Sequence, residues 1–308
     1  MRYALEVQYR GKNYAGSQIQ FEGKCKDGTR SERVEPTIQG ELEKALRTLI
    51  CVSRCEDRKD LQKCKALEGE TLRNRRYERN DSEVNEAISD CTGGEKLKNT
   101  RPIKTIFSGR TDKGVNSLGQ VVHFDYDKDI VASKFIYQMN EILSDDISVD
   151  NLRIVPDSFH AQKSAKSRYY RYEFINRRYK QAFDGDILRV KYELDIERMQ
   201  NALNFLLGEH DFSSFKSSGT LNPSKVCFIS RAEVEKQGDR VFIHIEGNRF
   251  LYNMVRTIVG TLLEIEGHKL PVEHMKDVLE AKDRRKAGRT VSPYGLTLMR
   301  VDYSLEEI

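Results

Sequence analysis

Several features that identify common protein classes are missing from this chain. No apolar run approaches the length needed to cross a membrane, and residues 1–10 read as a strand rather than as a secretory leader. The six cysteines include no CxxC pair, which makes a zinc site a poor interpretation. A phosphate loop and a dinucleotide fingerprint are also absent. These absences favour a protein with reduced thiols in the cytoplasm, with an organelle or the nucleus as open alternatives, and without membrane contact.

The chain is also poor in apolar residues and only mildly basic. Its hydrophobic fraction is 38%, its charged fraction is 32%, and its formal net charge is +4. This balance suits a polar cleft, but it does not by itself indicate a nucleic-acid partner. A length of 308 residues allows one large domain or two of ordinary size.

Apolar spacing predicts the same order of elements in each half of the chain. The first half has a strand at residues 2–9, a helix after Thr37, one strand on each side of residues 108–120, and a final helix and strand. For the second half the pattern predicts strands at 168–175, 226–234, 241–245 and 296–301, a helix capped by Asp195 and ended by Gly208, and helices at 250–265 and 272–281.

This order, strand–helix–strand–strand–helix–strand, is the ferredoxin-like order. We therefore predict an α+β fold of two ferredoxin-like subdomains, residues 1–156 and 157–308. The two subdomains are expected to join into one mostly antiparallel sheet with a central cleft.

Residues 53–100 differ from their surroundings because they are polar, dense in charge and poor in aromatic residues. We interpret them as a charged, partly flexible insertion on the surface. A cluster of arginines leaves a second possibility open, that of an RNA-gripping arm: Arg73, Arg75, Arg76 and Arg79.

The segment Phe107–Asp125, FSGRTDKGVNSLGQVVHFD, predicts a strand, a tight loop and a strand. On local chemistry alone, Asp-Lys-Gly favours an ordinary hairpin turn in which Gly114 has a positive φ. If the loop bulges, Arg110 and Asp112 both point into one cleft. Arg110 would then lower the pKa of Asp112 and keep it ionised, as a nucleophile or a base.

Three motifs together resemble the TruA-type tRNA pseudouridine synthase family. GRTDKGVNSLGQVVHF resembles the active-site motif, and SAKSRYYRYEF and FLYNMVRTIVG resemble the second and third motifs. The resemblance covers nearly the whole chain apart from residues 53–100. The chain departs from the family pattern at Ser17, where an aromatic is more usual, and at Asn116, which we expect to remain able to hydrogen-bond RNA.

The resemblance implies a role for four residues. Asp112 is the catalytic residue, which attacks the anomeric carbon of the sugar or removes its 2′ proton. Arg110 helps to displace the base pair and positions Asp112, while Arg256 pairs with Asp112 and lowers its pKa further. Tyr170 binds the substrate by stacking on the uracil.

The resemblance also implies the activity, an isomerisation of uridine to pseudouridine in tRNA, in the anticodon stem-loop at positions 38–40. It implies a homodimer and requires no cofactor or metal. The alternative is a non-catalytic RNA-binding protein with tandem RRM-like sheets. That alternative explains the order of elements and the tyrosines, but not the convergence of an Arg-Thr-Asp loop with a buried Arg256.

Overall fold

A computed structural model describes residues 1–19, 35–56, 103–217 and 224–304, and for residues 51–56 it describes the backbone alone. Apart from the backbone of residues 53–56, the predicted insertion and its arginine cluster lie outside the described residues.

The described residues follow the predicted order of elements. The first half contains β1 (Arg2–Tyr9), α1 (Ile38–Glu56), β2 (Ile106–Phe107), β3 (Asn116–Asp125), α2 (Ala132–Ile142) and β4 (Ile147–Val155). The second half contains β5 (Ser167–Asn176), β6 (Arg189–Val190), α3 (Ile196–Asn204), β7 (Gly208–Asp211), β8 (Val226–Gln237), β9 (Arg240–Gly247), α4 (Met254–Gly267), α5 (His274–Ala281) and β10 (Leu296–Asp302).

All ten strands belong to one sheet with the order β4-β1-β3-β10-β5-β9-β8-β7, with β2 beside β3 and β6 beside β5. Each half keeps the ferredoxin-like strand order, and its neighbouring strands are antiparallel except for the short β6, which runs parallel to β5. The two halves meet where β3 and β10 run parallel, with Leu298 opposite Ser117. The predicted α+β class with one mostly antiparallel sheet is therefore confirmed.

Local sequence explains the start of two helices. The Thr37 side chain accepts a hydrogen bond from the Gly40 amide at 3.1 Å, and that of Asp195 accepts one from the Arg198 amide at 3.0 Å, so both act as helix caps. Several predicted boundaries were wrong, among them one end of each of two helices. Helix α3 ends at Asn204, before Gly208, and α4 begins at Met254 because Asn253 adopts the left-handed region with φ of 61°.

Buried side chains form two hydrophobic clusters. The first contains Tyr3, Leu5, Leu42, Phe124 and Met139, which come from β1, α1, β3 and α2. The second is built mainly from β5, β8, β9, α3, α4 and α5, but it also includes Ala4, Val115 and Val121 of the first half. The halves therefore share packing, and their division at residues 156 and 157 remains a prediction.

Strand β10 approaches β3 closely at Gly119. A Cβ atom on Gly119 would lie 2.5 Å from the Met299 carbonyl oxygen and 3.1 Å from the Arg300 Cα. The approach coincides with an irregularity in β10, whose pairing with β5 shifts between Leu298 and Arg300. Position 119 therefore requires glycine because two backbones meet there.

We predict that Gly119→Ala destabilises the junction of the two halves by about 1–3 kcal/mol, the usual cost of forcing extra volume into a packed site. Urea unfolding of the purified protein measures this change. Gly109→Ala is the matched control, because a Cβ atom on Gly109 would meet nothing within 4 Å. Equal stabilities for the two variants would contradict the assigned contact.

Candidate active site

Asp112 lies in the loop that connects β2 to β3, at the junction of the two halves. The Val115 amide donates to the Asp112 carbonyl at 3.1 Å, closing a turn in which Gly114 has the predicted positive φ, at 82°. The backbone of Asp112 also pairs with Gly16 in an isolated antiparallel bridge. The loop is thus both a tight turn and a fixed support for one carboxylate.

A buried network of polar side chains stabilises this loop. The Thr111 amide donates to the Ser17 hydroxyl at 2.8 Å, and the Thr111 hydroxyl lies 2.8 Å from the hydroxyl of Tyr9. The Ser17 amide returns a hydrogen bond to the Thr111 carbonyl at 3.1 Å. Ser17 stands where the resemblance led us to expect an aromatic residue, and its small hydroxyl makes a direct contact with the residue before Asp112.

Gln120 extends the network to the start of the loop. Its amide nitrogen donates to the Gly109 carbonyl at 3.0 Å, and its amide oxygen accepts a hydrogen bond from the Ser108 hydroxyl. Buried polar groups satisfied in this way rigidify the backbone to which they bind. The sequence did not lead us to assign a supporting role to Gln120, Tyr9 or Ser17. For Gln120 and Tyr9, a polar group at an inward-facing strand position is the signal that would have found them.

Arg256 reaches Asp112 from the other half of the protein. Its Nη1 atom lies 3.9 Å from the Asp112 Oδ2 atom, and the two side chains are 15% and 26% exposed. Two further contacts orient the guanidinium: Nε donates to the Val291 carbonyl at 2.8 Å, and Nη1 donates to the Asn253 side-chain oxygen at 2.7 Å. Both of these acceptors are neutral, so Asp112 is the anion that Arg256 faces.

Burial dominates the electrostatics of this pair. It raises the pKa of Asp112 above its ordinary value, while the charges of Arg256 and Arg110 lower that pKa and offset only part of the effect. It also lowers the pKa of Arg256, against the opposing attraction of Asp112. The sign predicted for each arginine was correct, but the predicted net lowering of the Asp112 pKa was wrong because desolvation is larger.

Arg110 is exposed, and it acts on Asp112 through Coulombic attraction rather than through a direct ion pair. The structure therefore does not bring the Arg110 guanidinium into contact with the Asp112 carboxylate.

Tyr170 lies on the buried face of β5, with Tyr172 and Phe174 on the same face. Its ring meets Phe250 edge to face, with centroids 5.1 Å apart. Burial, and then repulsion from Tyr9 and Asp112, raise the Tyr170 pKa, which keeps the phenol neutral. Asp112, Arg256 and Tyr170 therefore belong to one neighbourhood.

Arg168 is a further residue of this neighbourhood that the sequence analysis did not identify. Its guanidinium donates to the Ser108 carbonyl at 3.1 Å, and to the Gln162 and Asn248 carbonyls at 2.7 Å each. Ser108 begins the Asp112 loop, whereas Gln162 and Asn248 belong to the second half. Arg168 thus connects the loop to the strand that carries Tyr170.

Two other residues have structural partners. The Asn116 side chain accepts from the Gly11 amide at 3.0 Å and donates to the Tyr294 carbonyl at 3.1 Å, so its amide is occupied by protein rather than left for RNA. His123 accepts from the Ala161 amide at 3.1 Å, and burial lowers its pKa to about 4. A neutral ring that accepts a backbone hydrogen bond indicates a structural role for His123.

The described residues include no group of three His, Cys, Asp or Glu side chains that could hold a metal ion. None of their helices is long and apolar enough to cross a membrane.

Comparison with known proteins gives consistent matches. A family model described as tRNA pseudouridine synthase matches residues 202–304. The chain is 40% identical over 232 residues to "tRNA pseudouridine synthase A" of Thermoanaerobacter sp. (strain X514), which covers 74% of this chain and 92% of that protein. It is also 40% identical over 223 residues to the protein of the same name from Brevibacillus brevis, covering 72% and 88% of the two chains.

The protein of that name from Bacillus subtilis is 40% identical over 202 residues, which are 65% of this chain and 82% of the relative. Among solved structures, a chain of a Cbf5-Nop10-Gar1 complex aligns with 68% of this chain and 43% of its own length, with 11% identity and a TM-score of 0.31, too distant to support an argument. The identity and coverage of the sequence relatives confirm the resemblance, and the chain belongs to the tRNA pseudouridine synthase A family.

Proposed function

We propose that this pseudouridine synthase isomerises uridines in the anticodon stem-loop of tRNA, at positions 38–40, with Asp112 as its nucleophile. The observation that carries the assignment of the site is the approach of Arg256 to Asp112, at 3.9 Å, beside the buried Tyr170. A carboxylate drawn partly out of water is a better nucleophile than a solvated one, and an arginine beside it favours its ionised form.

In the nucleophilic route, an Asp112 oxygen attacks the sugar C1′ atom while the bond from C1′ to uracil N1 breaks. The electron pair of that bond leaves with the uracil, which turns so that C5 faces C1′. C5 then bonds to C1′ and displaces Asp112, the C5 proton is lost, and N1 takes up a proton. In the alternative route, Asp112 removes the 2′ proton of the sugar, and the electron pair of the C2′–H bond forms a C1′–C2′ double bond as the uracil leaves with the electron pair of the C1′–N1 bond. C5 then bonds to C1′, Asp112 returns the proton to C2′, the C5 proton is lost, and N1 takes up a proton. No atom is gained or lost overall, as an isomerase requires.

Three other residues take supporting roles in this proposal. Arg256 stabilises the carboxylate each time it is released. Tyr170 packs against the uracil after the base has left its helix, since a nucleotide inside a duplex is out of reach of catalytic groups. Arg110, exposed beside the loop, occupies the position of the displaced base and contacts RNA rather than Asp112.

The quaternary and cellular context is part of the same proposal. The family resemblance supports a homodimer in the cytoplasm. The shared strand order of the two halves supports subdomains at residues 1–156 and 157–308, with the catalytic cleft where β3 meets β10.

Mapping pseudouridine in tRNA from a strain that lacks the gene tests the position. We expect uridines at 38–40 to stay unmodified and to regain pseudouridine when the gene is restored. Tritium release from C5-labelled uridine in tRNA tests the chemistry with purified protein. Binding of tRNA without tritium release would favour the non-catalytic alternative, and losses at other positions only would refute the anticodon assignment.

Asp112→Asn should lower kcat by at least about a thousandfold, because the amide cannot act as the nucleophile. We also predict that it is more stable than the unsubstituted protein near neutral pH. The folded Asp112 pKa is raised, so the native state binds this proton more tightly than the unfolded state, and stability is lost as pH rises through that pKa.

Thermal unfolding at neutral and acidic pH checks this second expectation, and the gain in stability should vanish once the carboxyl is protonated. An active Asp112→Asn enzyme would remove the catalytic assignment, whereas lower stability at neutral pH would contradict only the electrostatic account.

Arg256→Gln should lower kcat by about a hundredfold, the scale of losing one oriented charge at a reacting centre. The Arg256 charge lowers the Asp112 pKa, so its removal raises that pKa and moves the acid limb of the pH–rate profile to higher pH. Arg153→Gln is the control, because Arg153 pairs with Glu6 on β1 instead. An unchanged acid limb in Arg256→Gln would argue against its coupling to Asp112.

A further inference from the structure

The segment after β5, residues 177–186, holds two aromatic rings in solvent, and we call it the aromatic loop. Phe183 is 98% exposed and Tyr179 is 71% exposed, the highest values among the large apolar side chains of the described residues. Single exposed apolar residues are common on proteins, so exposure alone does not define a site. The contacts and charges around the two rings make this pair unusual.

A single guanidinium fixes the backbone of the aromatic loop. Arg177 donates to the Tyr179 carbonyl at 2.9 Å, to Asp184 at 2.5 Å and to Asp239 at 2.8 Å. The Gln181 amide also donates to Asp184 at 2.8 Å, which closes the short helical turn that carries Phe183. Both rings are therefore presented by a constrained backbone, which reduces the entropy lost when a ligand binds.

Ion pairs also determine the charge that the loop presents. Asp184 shares Arg177 with Asp239, and Asp186 is paired with Lys12 at 2.5 Å, so each carboxylate of the loop has a cationic partner. Arg178 and Lys180 are exposed and form no ion pair within the described part of the chain, and the Arg178 guanidinium lies 5.6 Å from the centre of the Tyr179 ring. The surface is thus cationic and aromatic, a combination that suits unpaired nucleotides.

The aromatic loop also lies at the edge of the candidate active site. The ion pair of Lys12 with Asp186 connects it to the turn Gly11–Asn13. The Gly11 amide is bound to Asn116, which directly follows the Asp112 turn, and Asn116 in turn contacts Tyr294. The aromatic loop would therefore be adjacent to an RNA whose uridine reaches Asp112.

We propose that the aromatic loop is a second RNA-contact surface, which stacks an unpaired nucleobase of the substrate on Phe183 or Tyr179. Arg178 and Lys180 contact the neighbouring phosphates. The inference rests on the proposed tRNA substrate and adds a binding site outside the catalytic residues.

The test compares the double variant Tyr179→Ala/Phe183→Ala with the unsubstituted full-length protein. Kd for an unmodified tRNA transcript is measured at fixed salt concentration, together with KM and kcat for pseudouridine formation. Loss of stacking should raise Kd and KM at least about fivefold and leave kcat within about twofold. Phe183→Trp in the otherwise unsubstituted protein should retain binding, because it keeps a stacking surface.

Tyr137→Ala is the matched control, since Tyr137 is 67% exposed on α2, which contributes no residue to the aromatic loop or to the contacts that link it to Asn116. Its Kd should be unchanged, and thermal unfolding should show that all variants are folded.

The possible failures are distinguishable. An active unsubstituted enzyme with the same Kd in the double variant would reject the aromatic loop and leave the proposed function intact. Loss of tRNA binding in the double variant, with no pseudouridine formed even by the unsubstituted protein, would keep the RNA surface and reject the proposed reaction. A change in oligomeric mass by light scattering with unchanged Kd would show that the rings contact a second copy, which overturns the inference.

Discussion

The contact between Asp112 and Arg256 is the interaction on which the rest of the arrangement depends. Burial disfavours the charged form of both side chains, and each charge offsets part of the cost of the other. The two residues come from different halves of the chain, and they approach to 3.9 Å only because β3 and β10 join the halves in one sheet. The junction is therefore a condition of the site as well as a feature of the fold.

Local structure around Arg256 shows how this contact is maintained. Arg256 lies in the first turn of α4, where the helix dipole disfavours a cation. The residue before the helix, Asn253, has a left-handed backbone, which asparagine tolerates better than most residues, and its side chain accepts a hydrogen bond from Arg256. Energetically unfavourable local features such as this cation and this left-handed residue occur preferentially at functional sites, where contacts with the surrounding structure compensate for them.

Features that depend on residues close together in the sequence could be predicted, whereas features that depend on distant segments could not. Alternation and caps are local, so β1, β5 and the caps at Thr37 and Asp195 were predictable. The start of α4 was not, because the apolar pattern continues through residues 250–253 and only the backbone of Asn253 ends it.

The candidate site was predicted unevenly for the same reason. Asp112, Tyr170 and Arg256 were found through motif resemblance, whereas local chemistry alone favoured an ordinary turn at Asp112. The net direction of the Asp112 pKa depends on burial by distant segments, which no local pattern contains. Arg168 was missed because its partners are backbone carbonyls, and those leave no trace in residue identity.

Because the Asp112 loop is rigid, the RNA rather than the protein has to change conformation in the proposed reaction. Hydrogen bonds with Ser17, Tyr9 and Gln120 fix the loop, and Arg168 connects the start of the loop to the second half of the chain. A carboxylate fixed in this way cannot follow a uridine into a helix, so the nucleotide must leave its stack, which costs a few kcal/mol. In the proposed reaction, that cost has to be offset by contacts with RNA away from the reacting atoms, because the proposed catalytic groups would bind only the extruded nucleotide. The proposed function therefore implies a small catalytic centre within a broader RNA-binding surface.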